Sequence, residues 1–232
     1  MRTDFVSALV VAGLLAGCAS QVPRLADVEG EQPSGLPDAY YRQVAGRGQP
    51  VYEIDPASSL VVIEVRRGGA LARLGHDHVV ASHDVRGYVA PDDGRADLAI
   101  RLDRLVVDER ELRAEAQFDT QPSDEAVAGT RANMLEKLGA DKQPYALVAV
   151  RGVDIDATGS RLSATLTLNG IARVIPIPAQ IVVASGEVSV TGRIALAQTD
   201  FGITPFSILA GALVVQDQVA IRFRIRARRM AL

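Results

Sequence analysis

An all-β domain with one inserted helix is the fold that the sequence predicts, and three observations predict it. From Val51 to the C-terminus, short segments place apolar residues at every second position. Turn-forming clusters such as Pro91-Asp92-Asp93-Gly94 and Ala184-Ser185-Gly186 separate them. No strand–helix–strand rhythm appears, so the links are short and an antiparallel barrel or sandwich is expected.

The segments follow in order. Leu98, Ile100 and Leu102 alternate with Asp97, Arg101 and Asp103, and Leu162, Ala164, Leu166 and Leu168 with Arg161, Ser163, Thr165 and Thr167. Val188, Val190, Ile194 and Leu196 keep one parity, and Val219, Ile221, Phe223 and Ile225 alternate with Arg222, Arg224 and Arg226. Successive strand side chains face opposite sides, so each segment has one dry and one wet face. Further strands are expected over 60–66, 78–90 with a break near His83, 145–153 and 173–183. The helix is expected over about 123–138. Ser123 followed by Asp124 and Glu125 is a helix start, Val127, Met134, Leu135 and Leu138 share one face, and Lys137 with Gly139 marks the stop. It is expected to pack across a barrel mouth or flank.

The chain has 232 residues, 48% of them hydrophobic and 23% charged, enough for one sizeable core. With no Trp, five Phe and five Tyr, that core must be mostly Val, Leu, Ile and Ala. A net charge of −3 gives no general attraction to nucleic acid.

The N-terminus reads as an address. Residues 5–17 are free of charge, follow Arg2, and have the length of a secretory signal core rather than of a membrane span. The run ends in Leu15-Ala16-Gly17-Cys18, which is similar to a bacterial lipobox, and Cys18 is the only cysteine. The expected organisation is a lipoprotein signal peptide over 1–17, a lipidated Cys18 with a flexible tether over 18–50, and one domain over 51–232. Cys18 would then anchor an exported protein to a membrane, and Ala19-Ser20 behind it favours the outer membrane, facing the periplasm.

Several stretches, read in order, carry a family resemblance. They are Tyr52-Glu53-Ile54-Asp55-Pro56 with Ser58-Ser59, Gly75-His76-Asp77-His78 with Gly87, Met134 to Leu138 leading to Gln143-Pro144-Tyr145, Leu166-Thr167-Leu168-Asn169-Gly170 leading to Pro176-Ile177-Pro178, and Thr199-Asp200-Phe201-Gly202-Ile203. Together they resemble the YceI-like family, described as polyisoprenoid-binding proteins with a lipocalin-like barrel. The resemblance covers about residues 50–230. It implies an eight-stranded antiparallel barrel whose interior holds a long isoprenoid, a quinone-like lipid or another amphiphile. Leu98, Ile100, Leu166, Leu168, Ile221, Phe223 and Ile225 are the candidate lining. The same residues would also serve as a filled core, because alternation alone does not separate a tunnel from a packed interior.

All three histidines, His76, His78 and His83, fall within eight positions, beside Asp77 and Asp84. Three uses fit them: a structural turn, contact with a ligand's polar head, or a metal site in which His76 and His78 share a strand face. No catalytic motif is present, neither Gly-x-Ser-x-Gly nor His-Glu-x-x-His nor a phosphate-cradling glycine loop, so binding rather than catalysis is expected. The row Arg222, Arg224, Arg226 and Arg228 reads as the solvated face of the closing strand, paired with carboxylates on its neighbours, or as a stripe facing anionic lipid.

Overall fold

A strand with one apolar parity buries it only when other strands close around the same side, and here they close completely. The computed structural model describes residues 35–156, 159–184 and 186–231. Its strands are β1 (Tyr52–Ile54), β2 (Leu60–Val65), β3 (Arg67–Gly68), β4 (His78–Ser82), β5 (Val85–Ala90), β6 (Arg95–Arg101), β7 (Val106–Val107), β8 (Tyr145–Asp156), β9 (Gly159–Leu168), β10 (Ile171–Ala184), β11 (Glu187–Ala197), β12 (Ser207–Ile208), β13 (Leu213–Val215) and β14 (Gln218–Arg229). The order β1-β5-β6-β8-β9-β10-β11-β14 returns to β1, giving a closed antiparallel barrel of eight strands.

Three of those staves are interrupted. β14 pairs with β2 along Ala220–Arg224 and with β1 along Ala227–Arg229, so β1 and β2 form one stave broken by a short turn at Pro56–Ser58. The stave of β4 and β5 breaks at His83 and Asp84, where the sequence reading expected a break. β6 and β7 are parted by a turn over Leu102–Arg104. The longer hairpin of β9 and β10 turns on Asn169 and Gly170, both with positive φ (51° and 74°), as a two-residue turn between twisted strands requires.

Inside, the wall is aliphatic. Gly192 faces Phe223 across β11 and β14, and a β-carbon there would stand 2.5 Å from the Phe223 ring and 2.6 Å from the Pro178 carbonyl oxygen. The missing side chain lets the Phe223 ring lie against the wall.

Among the described residues three α-helices cover the outside and one end: α1 (Asp38–Gly46), α2 (Arg110–Glu115) and α3 (Asp124–Lys137). α3 is the expected helix. The Ser123 hydroxyl caps it by accepting from the Ala126 N–H at 3.2 Å, and Val127, Met134, Leu135 and Leu138 pack onto Val80, Leu102, Leu105 and Ala146 at one mouth of the barrel. α2 lays Leu112 on the outward face of Val62, Val79 and Ala81.

Two expectations need correction. Among the described residues the expected helix is joined by two more, α1 and α2, both too short for a helical period to stand out. The tether, expected over 18–50, does not extend unstructured to residue 50. α1 buries Tyr41, Val44 and Ala45 against Val51, Tyr88 and Ala90 on the barrel's outer flank. The Tyr41 hydroxyl donates to buried Asp97 at 2.7 Å, and Arg95 also donates to that carboxylate, at 2.9 Å. Burial first, and then the bond to Asp97, push the Tyr41 hydroxyl well above the usual phenol range, so it stays a neutral donor. The predicted signal segment and Cys18 lie outside the described residues.

Three of the four arginines in the row take the paired form. Arg222 meets Glu115 at 2.6 Å, Arg228 meets Asp55 at 2.9 Å, and Arg226 lies 3.7 Å from Glu187.

The packing of Gly192 gives a first test. Gly192→Val is expected to destabilise the domain by about 1–3 kcal/mol through overpacking, read as a lower urea midpoint with an unchanged slope.

Candidate functional site

Because the inward parity carries Val, Leu, Ile and Ala rather than large rings, the closed barrel does not fill. A cavity of about 890 Å³ runs through it, near the upper end of the range for ligand sites. Leu98 and Ile100 of β6, Leu166 and Leu168 of β9, and Ile221, Phe223 and Ile225 of β14 all line it. The seven residues picked out by alternation therefore face one space.

The polar part of the wall is unevenly placed. Arg67, His76, His78, Thr130, Asn133, Lys137, Gln198 and Thr204 line the end covered by α3, whereas Arg95 and Ser160 are the polar residues toward the far end. Ser82, one pleat beyond Val80 on the inward face of β4, is buried with no partner for its hydroxyl among the described residues.

The histidines are not brought together. His83, in the β4–β5 break, is half exposed and meets Glu109 at 2.8 Å on the outside. His76 and His78 both line the cavity, their ring centroids 6.2 Å apart. Among the described residues no group of three or more His, Cys, Asp or Glu side chains is arranged to hold a metal ion.

His78 is held by a buried network. Its Nδ1 lies 2.6 Å from Asp108 Oδ2, and since a carboxylate only accepts, Nδ1 carries the proton. Nε2 is left toward Thr130, whose hydroxyl lies 3.3 Å away. Asp108 Oδ1 accepts from the Val79 N–H at 3.0 Å and from the buried Arg113 guanidinium, which also donates to the Asp77 carbonyl at 2.6 Å. Burial acts to raise the Asp108 carboxyl, but the hydrogen bonds from His78, Val79 and Arg113 outweigh it and hold the group below the usual carboxylate range. Asp77 accepts from the Arg67 N–H at 2.9 Å, and Arg67 also donates to the Gly75 carbonyl and to Asp119. The Gly75-His76-Asp77-His78 segment is thus pinned on the inward end of β4.

Sequence reasoning missed Asp108, Arg113, Thr130 and Ser82. Ser82 was within reach, because it shares parity with His78 and Val80. Thr130 stands one helical turn before Met134 on α3. Asp108 gave no signal, since it is brought to His78 from 30 residues away by the turn that leads into α2.

The YceI-like domain family model matches residues 52–227, the span of the barrel itself. The chain belongs to the YceI-like family. Two solved structures share its fold. Burkholderia cenocepacia BcnA is 14% identical with a TM-score of 0.52, the match covering 75% of this chain and 98% of that one. A polyisoprenoid-binding domain from Saccharophagus degradans, implicated in plant cell wall breakdown, is 16% identical with a TM-score of 0.53, covering 77% and 98%. No curated protein matches the chain. Relative to this YceI-like frame, the α3 end of the cavity is where the polar side chains collect.

The network around Asp108 makes a second test. Asp108→Asn strands the Arg113 cation and is expected to cost about 3–5 kcal/mol in urea unfolding. The depressed carboxyl contributes stability that is present above its unfolded pKa of about 3.9 and lost as pH falls through its lower folded value. Stability measured against pH should therefore lose part of its acid limb in the variant.

Proposed function

We propose that this YceI-like chain binds and carries a long isoprenoid, or an amphiphile of similar shape, inside its barrel. One observation carries the reading: the cavity is continuous and its wall mainly aliphatic, with most of its polar side chains collected at one end. An apolar chain taken from water into such a space gains ~25 cal/mol for each Å² buried, with no polar partner required along its length. Membership of the family and the shared fold with a domain described as polyisoprenoid-binding support the same reading.

The polar end gives the ligand a direction. A head placed beside α3 would meet His78, Thr130 and Asn133, with the chain running past Leu166, Ile221 and Phe223 toward the far end. Arg67 already faces Asp119, Arg113 faces Asp108 and Lys137 faces Glu136, so the cations beside the polar end of the cavity itself are already paired. That balance favours a neutral head, such as a quinone ring or an alcohol, over a pyrophosphate. The function is non-covalent and involves no reaction. The exported form, anchored through Cys18 to the outer membrane and facing the periplasm, belongs to the same proposal and rests on the lipobox-like sequence.

Two tests follow from this arrangement. Filling the lumen with Leu166→Trp and Ile221→Trp is expected to weaken binding of a fluorescent polyprenyl probe by about tenfold or more while the β circular-dichroism signal is kept. Unchanged binding would remove the cavity from the function. For the anchor, the exported protein should incorporate labelled palmitate and its Cys18→Ser variant should not, and an unlabelled parent protein would count against lipidation.

A further inference from the structure

Four of the large apolar side chains exposed on the described residues lie in one small part of the fold. β12, β13 and β3 form a separate three-stranded sheet at the α3 end of the barrel, and the turn over Ala72–Leu74 packs beside it through a bond from the Leu71 N–H to the Ala212 carbonyl at 2.7 Å. Leu74 (62% exposed), Phe206, Ile208 and Leu209 (61%) project from this flap. Leu209 and Ala210 at its tip both take positive φ of 53°, a conformation that side chains other than glycine adopt at a cost.

The patch is continuous with the interior, since Leu74 and Phe206 are exposed and also line the cavity. It also has a charge. Residues 66–76 carry Arg66, Arg67 and Arg73 and no carboxylate, and residues 203–216 carry no charge at all. Arg66 and Arg67 are paired, whereas Arg73 is exposed and has no ion-pair partner among the described residues. The far end also exposes Val153, Val182 and Val183, but its turns bear Asp92 and Asp93, while Glu187 lies 3.7 Å from Arg226.

We propose that this flap is a membrane-docking rim, seating the α3 end of the barrel on an anionic bilayer so that a lipid chain passes from the membrane into the cavity without crossing water. Apolar side chains beside an unpaired cation match the two layers of a bilayer interface, acyl region and headgroup. The inference rests on the reading of the cavity as a lipid compartment, but it is tested without any isoprenoid.

The chain has no tryptophan, so one introduced residue is a clean reporter. Leu209→Trp at the flap and Val182→Trp at the far end are each made in the mature chain, residues 18–232, with Cys18→Ser. Each is mixed with vesicles of phosphatidylethanolamine and phosphatidylglycerol that carry bromine on the acyl chains. The expected result is a blue shift and strong quenching at position 209 and neither at position 182. Adding Arg73→Glu to the Leu209→Trp chain should raise the lipid concentration for half-maximal quenching about fivefold. Absence of quenching at position 209, equal quenching at both positions, or quenching at position 182 alone would overturn the proposal. Docking by a chain that takes up no polyprenyl probe would instead count against the cavity reading and leave the rim standing.

Discussion

Closure of the ring through β14 is the contact on which the rest of the structure depends. This one strand pairs with β11 from Glu187↔Arg228 to Ala197↔Gln218 on one side, and with both halves of the β1/β2 stave on the other. A sheet with free edges must cover its apolar face by collapsing onto something. A closed sheet has its backbone groups paired around the whole circumference, so the wall is held by hydrogen-bond ladders rather than by side chains meeting across the lumen. That is why a space of about 890 Å³ can persist inside a domain of this size. It is also why mid-barrel Phe223 can lie back over Gly192 instead of plugging the bore.

The outer layer serves the same end. α1 and α2 lie against β5 and β4 and bury outward apolar residues that a solvated barrel face would otherwise expose, whereas α3 covers inward residues at the mouth beside the β6–β7 turn. α2 does more than cover. Its Arg113 reaches Asp108, and Asp108 fixes the ring of His78 on the inner wall. A polar side chain inside an apolar cavity is costly unless its own hydrogen bonds are met. The buried ion pair outside the bore meets those of His78 and leaves Nε2 turned toward Thr130.

Much of this was legible in the sequence, for physical reasons that differ by element. The period-two alternation of β6, β9, β11 and β14 reported which parity faces inward, and all seven residues chosen on that basis line one cavity. Ser123 and the acidic first turn of α3 located that helix to within a residue of its ends. Alternation says nothing about whether the space between walls is filled, because that depends on barrel closure and on side-chain volumes facing one another. Nor did it reveal α1, whose three buried residues sit in a stretch too short for a helical period to stand out. The histidines misled through proximity alone: His83 follows His78 closely in the chain, yet the break between β4 and β5 puts it on the outer surface. Asp108, the residue that sets the state of His78, is invisible to local patterns, since only the folded path of the chain brings it there.

The central claim is that the barrel interior is a ligand compartment. Native mass spectrometry of the protein, purified from its own host without detergent, tests it most directly. The account predicts a bound mass of several hundred daltons that organic solvent releases and that fragments as a prenyl chain carrying a neutral head. A protein that flies at its bare mass, and that stays bare after incubation with an isoprenoid quinone, would contradict the account.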